Sequence, residues 1–307
     1  MDDQILGPQL KQKSKEEHIL TQRDTGVLLD IYKHRYLSVS QIKTLHFPSL
    51  QTAYRRLRAL KALGYIKSFT VPNIPEGIYY LDRDGAQVVS GELGVEVEDL
   101  KWRQDTKSPK DYYFLRHFLK INDFRISLTL GCRGSQINLM GFIPEYYGER
   151  TEKRGIVKYI KDVVFDTKDQ SRKISHIPDA VFALEKEGKA ALFFLEADRG
   201  TEPLNDPEKG FLKCASFYLN YWTDGKYQRY REDFGCEPFR AFRTLIVTTS
   251  LARMQNMREA VSKFPFPSSH PKRFLWITTD EKIKPETVFN PIWHSADIED
   301  GNIYSIS

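Results

Sequence analysis

The sequence predicts a mixed α/β chain in two parts, α+β when taken whole, and three observations predict it. Residues 22–63 carry three helical apolar stripes separated by cap and break signals, and a hairpin pattern follows over 65–81. Residues 177–198 hold two apolar runs around a charged turn, with acids at the outer ends. Residues 242–279 read strand, helix, strand. At 307 residues the chain has room for about two domains of ordinary size.

Residues 1–20 read as a polar arm. Thr21 can cap a helix over 22–34, where Val27, Leu28, Ile31 and Tyr32 have helical spacing. Ser38 can cap a short second helix over 39–45, and Pro48 breaks the chain after it. A third helix over 50–63 turns Ala53, Tyr54, Leu57 and Leu60 inward and stops at Gly64. Strands at 65–71 and 77–81 flank a Pro-Asn-Ile-Pro-Glu-Gly loop, and a fourth helix from about 81 to 90 closes the module.

Three helices followed by a hairpin is the order of a winged helix-turn-helix, whose third helix enters the major groove of duplex DNA. The outward candidates for DNA contact are Gln51, Thr52, Arg55, Arg56 and Arg58. Arginines neutralise phosphates, and Gln51 or an arginine can reach base edges. Charge agrees. Of the net +5, residues 10–70 carry twelve Lys/Arg against four Asp/Glu, a surplus of eight, which leaves the remainder at −3. The expected division is an arm at 1–20, a winged helix at 21–92, an acid-bearing linker at 93–110, and an α/β domain at 111–307.

Composition excludes several classes. Hydrophobic residues make up 40% of the chain, enough for a core, and no apolar run approaches the ~20 residues that span a bilayer. The first thirty residues are polar and charged, unlike a secretory signal, so a cytoplasmic setting without membrane contact is expected. Cys132, Cys214 and Cys236 are scattered and form no CxxC pair, which argues for a reducing compartment and against zinc or a disulfide framework. Glycine-rich phosphate loops, a Ser-His-Asp order and HExxH are all missing from the sequence.

In the second part, residues 112–130 read as a long buried helix interrupted by His117, Asn122 and Asp123, and a strand follows around 137–147. If Glu187-Gly188 is a two-residue hairpin loop, opposed residues have numbers summing to 375. Asp179 then faces Glu196, and strand alternation sends Asp179, Glu196 and Asp198 to one side. Opposed side chains start only ~5 Å apart, so like charges there call for a cation or a proton. Val181, Ala183, Leu192 and Phe194 on one face, with Phe182, Leu184, Phe193 and Leu195 on the other, mark strands sandwiched between helices.

Pro178-Asp179 and Glu196-Ala197-Asp198 resemble the PD-(D/E)xK restriction-endonuclease-like fold. In that family the two acids hold Mg²⁺, which orients water and neutralises the scissile phosphate. The resemblance implies Asp179 and Glu196 as metal ligands for Mg²⁺ or Mn²⁺, with Asp198 completing the catalytic candidates. Asp198 stands where the family has its lysine, and an anion cannot stabilise a phosphorane-like transition state. Alternation turns Arg199 to the other face unless the strand ends there. Lys209 and Lys213 of the next helix lie opposite its apolar stripe and read as solvated.

Taken whole, the chain resembles the replication-relaxation family of plasmid and mobile-element proteins. The resemblance rests on "YRRLRALKALGYI", "RHFLKINDFRISL", "IPDAVFAL" with "FFLEADRGTEPL", "FRTLIVTTSLARMQNMREAV" and "FLWITT" in this order. It implies a winged helix joined to a nuclease-like α/β domain, acting in replication and DNA relaxation of mobile elements. Three functions follow as alternatives. The first is a DNA-binding accessory protein of replication or mobilisation, with double-stranded DNA and a relaxase or replication protein as partners and a divergent nuclease-like domain. The second is a metal-dependent endonuclease, and the third a transcription regulator whose body forms a homodimer.

Overall fold

Local capping chemistry sets the first three helices. In α1 (Gln22–His34) the Thr21 side chain accepts from Asp24 N–H while Asp24 accepts from Thr21 N–H, a reciprocal capping box. A two-residue strand, β1 (Leu37–Ser38), leads into α2 (Val39–His46), where Ser38 and Gln41 form a second such box. Ser49 caps α3 (Leu50–Ala62). That helix ends with Gly64 at φ 85°, its N–H donating to Lys61 and that of Tyr65 to Leu60. This double bond is a Schellman motif, and its left-handed residue is why glycine follows the helix.

Strands β2 (Ile66–Val71) and β3 (Ile74–Leu81) form the wing, with β1 pairing on the far edge of β3. The turn is tighter than the expected loop: only Pro72 and Asn73 lie outside the strands, Asn73 at φ 67°. Helix α4 (Arg83–Leu93) completes the module. Val27, Leu28, Ile31, Ile42, Leu57, Leu60, Leu81 and Val89 make its core, and Leu100 and Trp102 pack on it too. The segment expected as linker therefore stays on the winged helix at its start.

The computed structural model describes residues 20–100, 102, 112–151, 155–166, 171–265 and 273–307. The expected arm, apart from residue 20, and half of the expected linker lie outside the described residues.

Helix α5 (Tyr112–Cys132) joins the parts, and its polar interruptions have partners. Asn122 Nδ2 donates to the carbonyls of His34 and Tyr36, and Asp123 Oδ1 accepts from Gln41 Nε2 at 2.7 Å. Beside them Arg125 donates to Lys33 O. These bonds satisfy carbonyls at the end of α1 that helix geometry leaves open.

After β4 (Ile137–Pro144) come two small hairpins, β5 (Gly148–Thr151) with β6 (Gly155–Lys158), and β7 (Asp162–Phe165) with β8 (Lys173–His176). The central hairpin is β9 (Ala180–Lys186) and β10 (Lys189–Ala197). Then follow α6 (Gly210–Asp224), α7 (Tyr230–Phe234), β11 (Phe242–Thr248), α8 (Leu251–Lys263), β12 (Leu275–Thr279), β13 (Trp293–Ser295) and β14 (Ile303–Tyr304). The main sheet has the order β14-β13-β12-β11-β10-β9-β4. It is parallel at β10-β11-β12 and antiparallel elsewhere.

Both faces of this sheet are covered, which explains the unbroken apolar runs of its middle strands. Val181, Phe194 and Ile246 meet Leu212 and Tyr218 of α6 and Met257 of α8 on one face. Phe182, Phe193 and Leu245 meet Phe124 and Leu128 of α5, with Trp293, on the other. Among the described residues no helix is long and apolar enough to cross a membrane.

Candidate nucleic-acid interface and carboxylate cavity

On α3 the buried stripe is Ala53, Leu57 and Leu60. Tyr54, expected inward, is 40% exposed, beside the buried stripe rather than in it. Gln51, Tyr54, Arg55, Arg58 and Lys61 share the outer face at helical spacing. Arg55 and Arg58 make no ion pair among the described residues, whereas Lys61 Nζ donates to Ser68 of the wing. Thr52 is taken up in the cap, its Oγ1 3.0 Å from Ser49 Oγ.

Arg56 differs. Its Nε and Nη2 fork onto the two oxygens of Asp24, each at 2.5 Å, and Asp24 is 1% exposed. Burial would raise the Asp24 pKa, but bonds from Arg56 and Thr21 outweigh it and hold the carboxyl below its ordinary range. Of the five residues expected at the DNA, Thr52 is thus engaged in the cap and Arg56 in a buried ion pair, which leaves Gln51, Arg55 and Arg58 facing outward.

The Glu187-Gly188 turn has both residues at positive φ, 53° and 73°, as a type I′ hairpin requires. Its register pairs Lys189 with Lys186 and Leu195 with Ala180, so opposed numbers sum to 375 throughout. Beyond the last pair, Asp179 N–H donates to Leu195 O and Asp179 Oδ2 accepts from Ala197 N–H at 2.6 Å. Asp179, Glu196 and Asp198 line one cavity of about 590 Å³ at the end of the sheet, beneath α6.

Each acid has a different partner. Asp179 Oδ1 lies 2.9 Å from His117 Nε2 of α5. Glu196 Oε1 lies 2.7 Å from His176 Nε2 of β8 and accepts from Tyr218 Oη at 2.5 Å. Asp198 accepts from Thr248 Oγ1 at 2.7 Å and takes the fork of Arg253, Nε at 2.6 Å and Nη2 at 2.8 Å. Burial would raise the Asp198 pKa, but Arg253 and Thr248 hold it below the ordinary range. Burial would lower that of His117, and the bond and charge of Asp179 raise it above the usual imidazole value.

Strand β10 ends at Ala197, so alternation no longer binds Arg199, which lines the same cavity with Lys161 and Lys213. Lys213 is exposed, as expected of a solvated lysine, yet it stands at the cavity rim. Mg²⁺ asks for several oxygen donors in near-octahedral geometry. Asp179 and Asp198 already have both oxygens hydrogen-bonded to the protein, and Glu196 stands beside an imidazole and a sulfur. This arrangement fits Mg²⁺ or Mn²⁺ poorly. Sequence reasoning missed His117, His176 and Arg253 as partners because each comes from an element distant in the chain.

The fold defines a winged-helix protein carrying an α/β body built on a seven-stranded mixed sheet. More particularly, the replication-relaxation family model matches residues 28–235, and the chain belongs to that family. No curated protein matches it. Among solved structures, a mutant MarR from E. coli complexed with operator DNA is similar at 21% identity and a TM-score of 0.24, covering 26% of this chain and 59% of that one. Restriction endonuclease FokI bound to DNA is similar at 10% identity and a TM-score of 0.26, covering 85% of this chain and 43% of that one. The chain thus spans about half the length of either structure.

Proposed function

We propose that this chain is a DNA-binding accessory protein of plasmid or mobile-element replication, relaxation or mobilisation. In this reading the winged helix engages duplex DNA, and the body contacts DNA or a relaxase or replication protein. One observation carries it: α3 presents Gln51, Arg55 and Arg58 on an exposed face with both arginines unpaired among the described residues. Cations held outward without an internal counter-charge suit a polyanion, because each phosphate they neutralise releases bound counterions.

Anisotropy titrations of duplex DNA across a salt series test the reading. Arg55→Ala with Arg58→Ala should weaken binding and reduce the slope of log K against log salt by roughly 0.9 for each phosphate no longer neutralised. Equal affinity and equal slope in the double variant would end it. Bound sites at replication or transfer origins favour an accessory role, and sites confined to the protein's own promoter favour a transcription regulator.

A metal-dependent endonuclease is the second reading, favoured by three acids lining one cavity. Supercoiled DNA incubated with Mg²⁺ or Mn²⁺ decides it. Nicking that Asp179→Ala and Glu196→Ala abolish would support it; no nicking, or nicking they leave intact, would remove it.

A further inference from the structure

We infer that His176, Glu196 and Cys214 form a binding site for a divalent cation of the zinc class, open on one side to the cavity. One ligand atom from each lies within 4.8 Å of the others. The three come from three elements, β8, β10 and α6, that the fold brings together. His176 Nε2 stands 2.7 Å from Glu196 Oε1 and 3.9 Å from Cys214 Sγ. Donors bonded to tetrahedral zinc at roughly 2.0–2.3 Å are about 3.4–3.6 Å apart. These two separations straddle that value, so a bound cation would push His176 and Glu196 apart by about 0.7 Å and draw His176 and Cys214 together by about 0.4 Å.

The competing explanation is a buried ion pair next to a core cysteine, which behaves as a small hydrophobe. Three features favour the cation. Nitrogen, sulfur and oxygen donors converge, the mixture that selects zinc over magnesium or calcium. Glu196 Oε1 is gripped by Tyr218 Oη, and the His176 ring packs against Phe217 and Tyr218 with centroids 5.0 and 5.4 Å away. Supporting contacts of this kind orient the ligands of metal sites. All three residues line the cavity, leaving space for a fourth ligand. With Lys161, Arg199 and Lys213 also lining it, that ligand would be water or an anionic oxygen. Sequence spacing hid the site: 176, 196 and 214 form no metal motif, and the cysteine pattern by itself argues against zinc.

The site does not depend on the DNA reading, and cobalt tests it directly. Metal-stripped, reduced full-length protein titrated with Co²⁺ should give thiolate-to-cobalt charge-transfer absorption and tetrahedral d–d bands saturating at one equivalent. Zn²⁺ should displace the signal and Mg²⁺ should not. Cys214→Ser should abolish the charge-transfer band, while the Cys132→Ser/Cys236→Ser double variant keeps it. Tyr218→Phe, which removes only the hydroxyl holding Glu196, should weaken cobalt binding about 10–100-fold. Absence of the band in the wild-type protein overturns the inference without any variant having to fold, and persistence of the band in Cys214→Ser overturns it as well.

Discussion

The two charged regions of this molecule solve opposite problems. On the outer face of α3, Arg55 and Arg58 extend into solvent with no acid to pair among the described residues. In the cavity, Asp179, Glu196 and Asp198 each meet a basic or hydroxyl partner supplied by the protein. An unpaired charge is tolerable in water and costly in a low-dielectric interior. The contrast locates where an external counter-charge is needed. The winged helix offers cations that only a partner can neutralise, whereas the cavity acids are largely neutralised from within.

Removing an internal partner puts the most strain on this contrast. Asp198 and Arg253 side chains are only 7% and 16% exposed, so Asp198→Ala strands a buried guanidinium. We expect a loss of about 3–5 kcal/mol in urea unfolding. Arg55→Ala and Arg58→Ala should each stay within about 0.5 kcal/mol of wild type. If Asp198→Ala is equally mild, the acids are not internally compensated and the contrast collapses.

Arg56 is the internal control, since it shares a helix with Arg55 but pairs like Arg253. Arg56→Ala leaves Asp24 charged, buried and unmatched. It should cost about 3 kcal/mol, with DNA binding by the still-folded fraction keeping its salt slope. A changed slope at unchanged stability would move Arg56 to the DNA face.

How much of this was legible in the sequence depends on the distance over which each feature is decided. The hairpin register could be read because Glu187-Gly188 fixes it locally, and with it the clustering of Asp179, Glu196 and Asp198 at one end of the sheet. The helix starts at Thr21 and Ser38 were legible for the same reason. Tyr54 was misread as inward because a stripe of Ala53, Leu57 and Leu60 admits either neighbour, and only packing chooses. The Arg56–Asp24 pair spans 32 positions and His117–Asp179 spans 62, so no periodicity reports them. His176 sits in a short strand between irregular segments, where neither a period of 2 nor one of 3.6 shows.

The junction between the two parts gives a prediction in pH. Asp123 of α5 is exposed at the rim of a cavity yet hydrogen-bonded to Gln41 of the winged helix, and local desolvation there raises its pKa to about 6 from an ordinary 3.8. The folded state then holds a proton that the unfolded chain has released, so stability falls as pH rises from about 4 to about 6 and is flat above. Asp123→Asn, which stays neutral and can still accept from Gln41, should abolish that decline. It should exceed wild type at pH 7.5 by about 1–2 kcal/mol, less than the full shift because solvent screens so exposed a group, and match it near pH 4. A parallel pH profile for the two proteins would show Asp123 ionised at the junction.

The smallest effect expected comes from His117 and Asp179, and it separates a paired acid from a metal-ready one. The folded pKa of His117 lies above its unfolded value because Asp179 outweighs burial. The pair's stabilisation is therefore fully present below about pH 6.5, the unfolded imidazole value, and is lost as pH rises through the folded pKa. A charge-assisted bond at 2.9 Å with both side chains under 20% exposed should contribute on the order of 1 kcal/mol. His117→Gln should remove that pH-dependent contribution while leaving the protein folded. Adding Mn²⁺ to wild type at pH 6 distinguishes the two states of the acid. If Asp179 is held by His117, Mn²⁺ leaves the unfolding midpoint unchanged. If the carboxylate is instead available as a ligand, Mn²⁺ raises the midpoint in wild type and Asp179→Asn loses the rise. The second outcome would put Asp179 on the same footing as the unpaired arginines of α3.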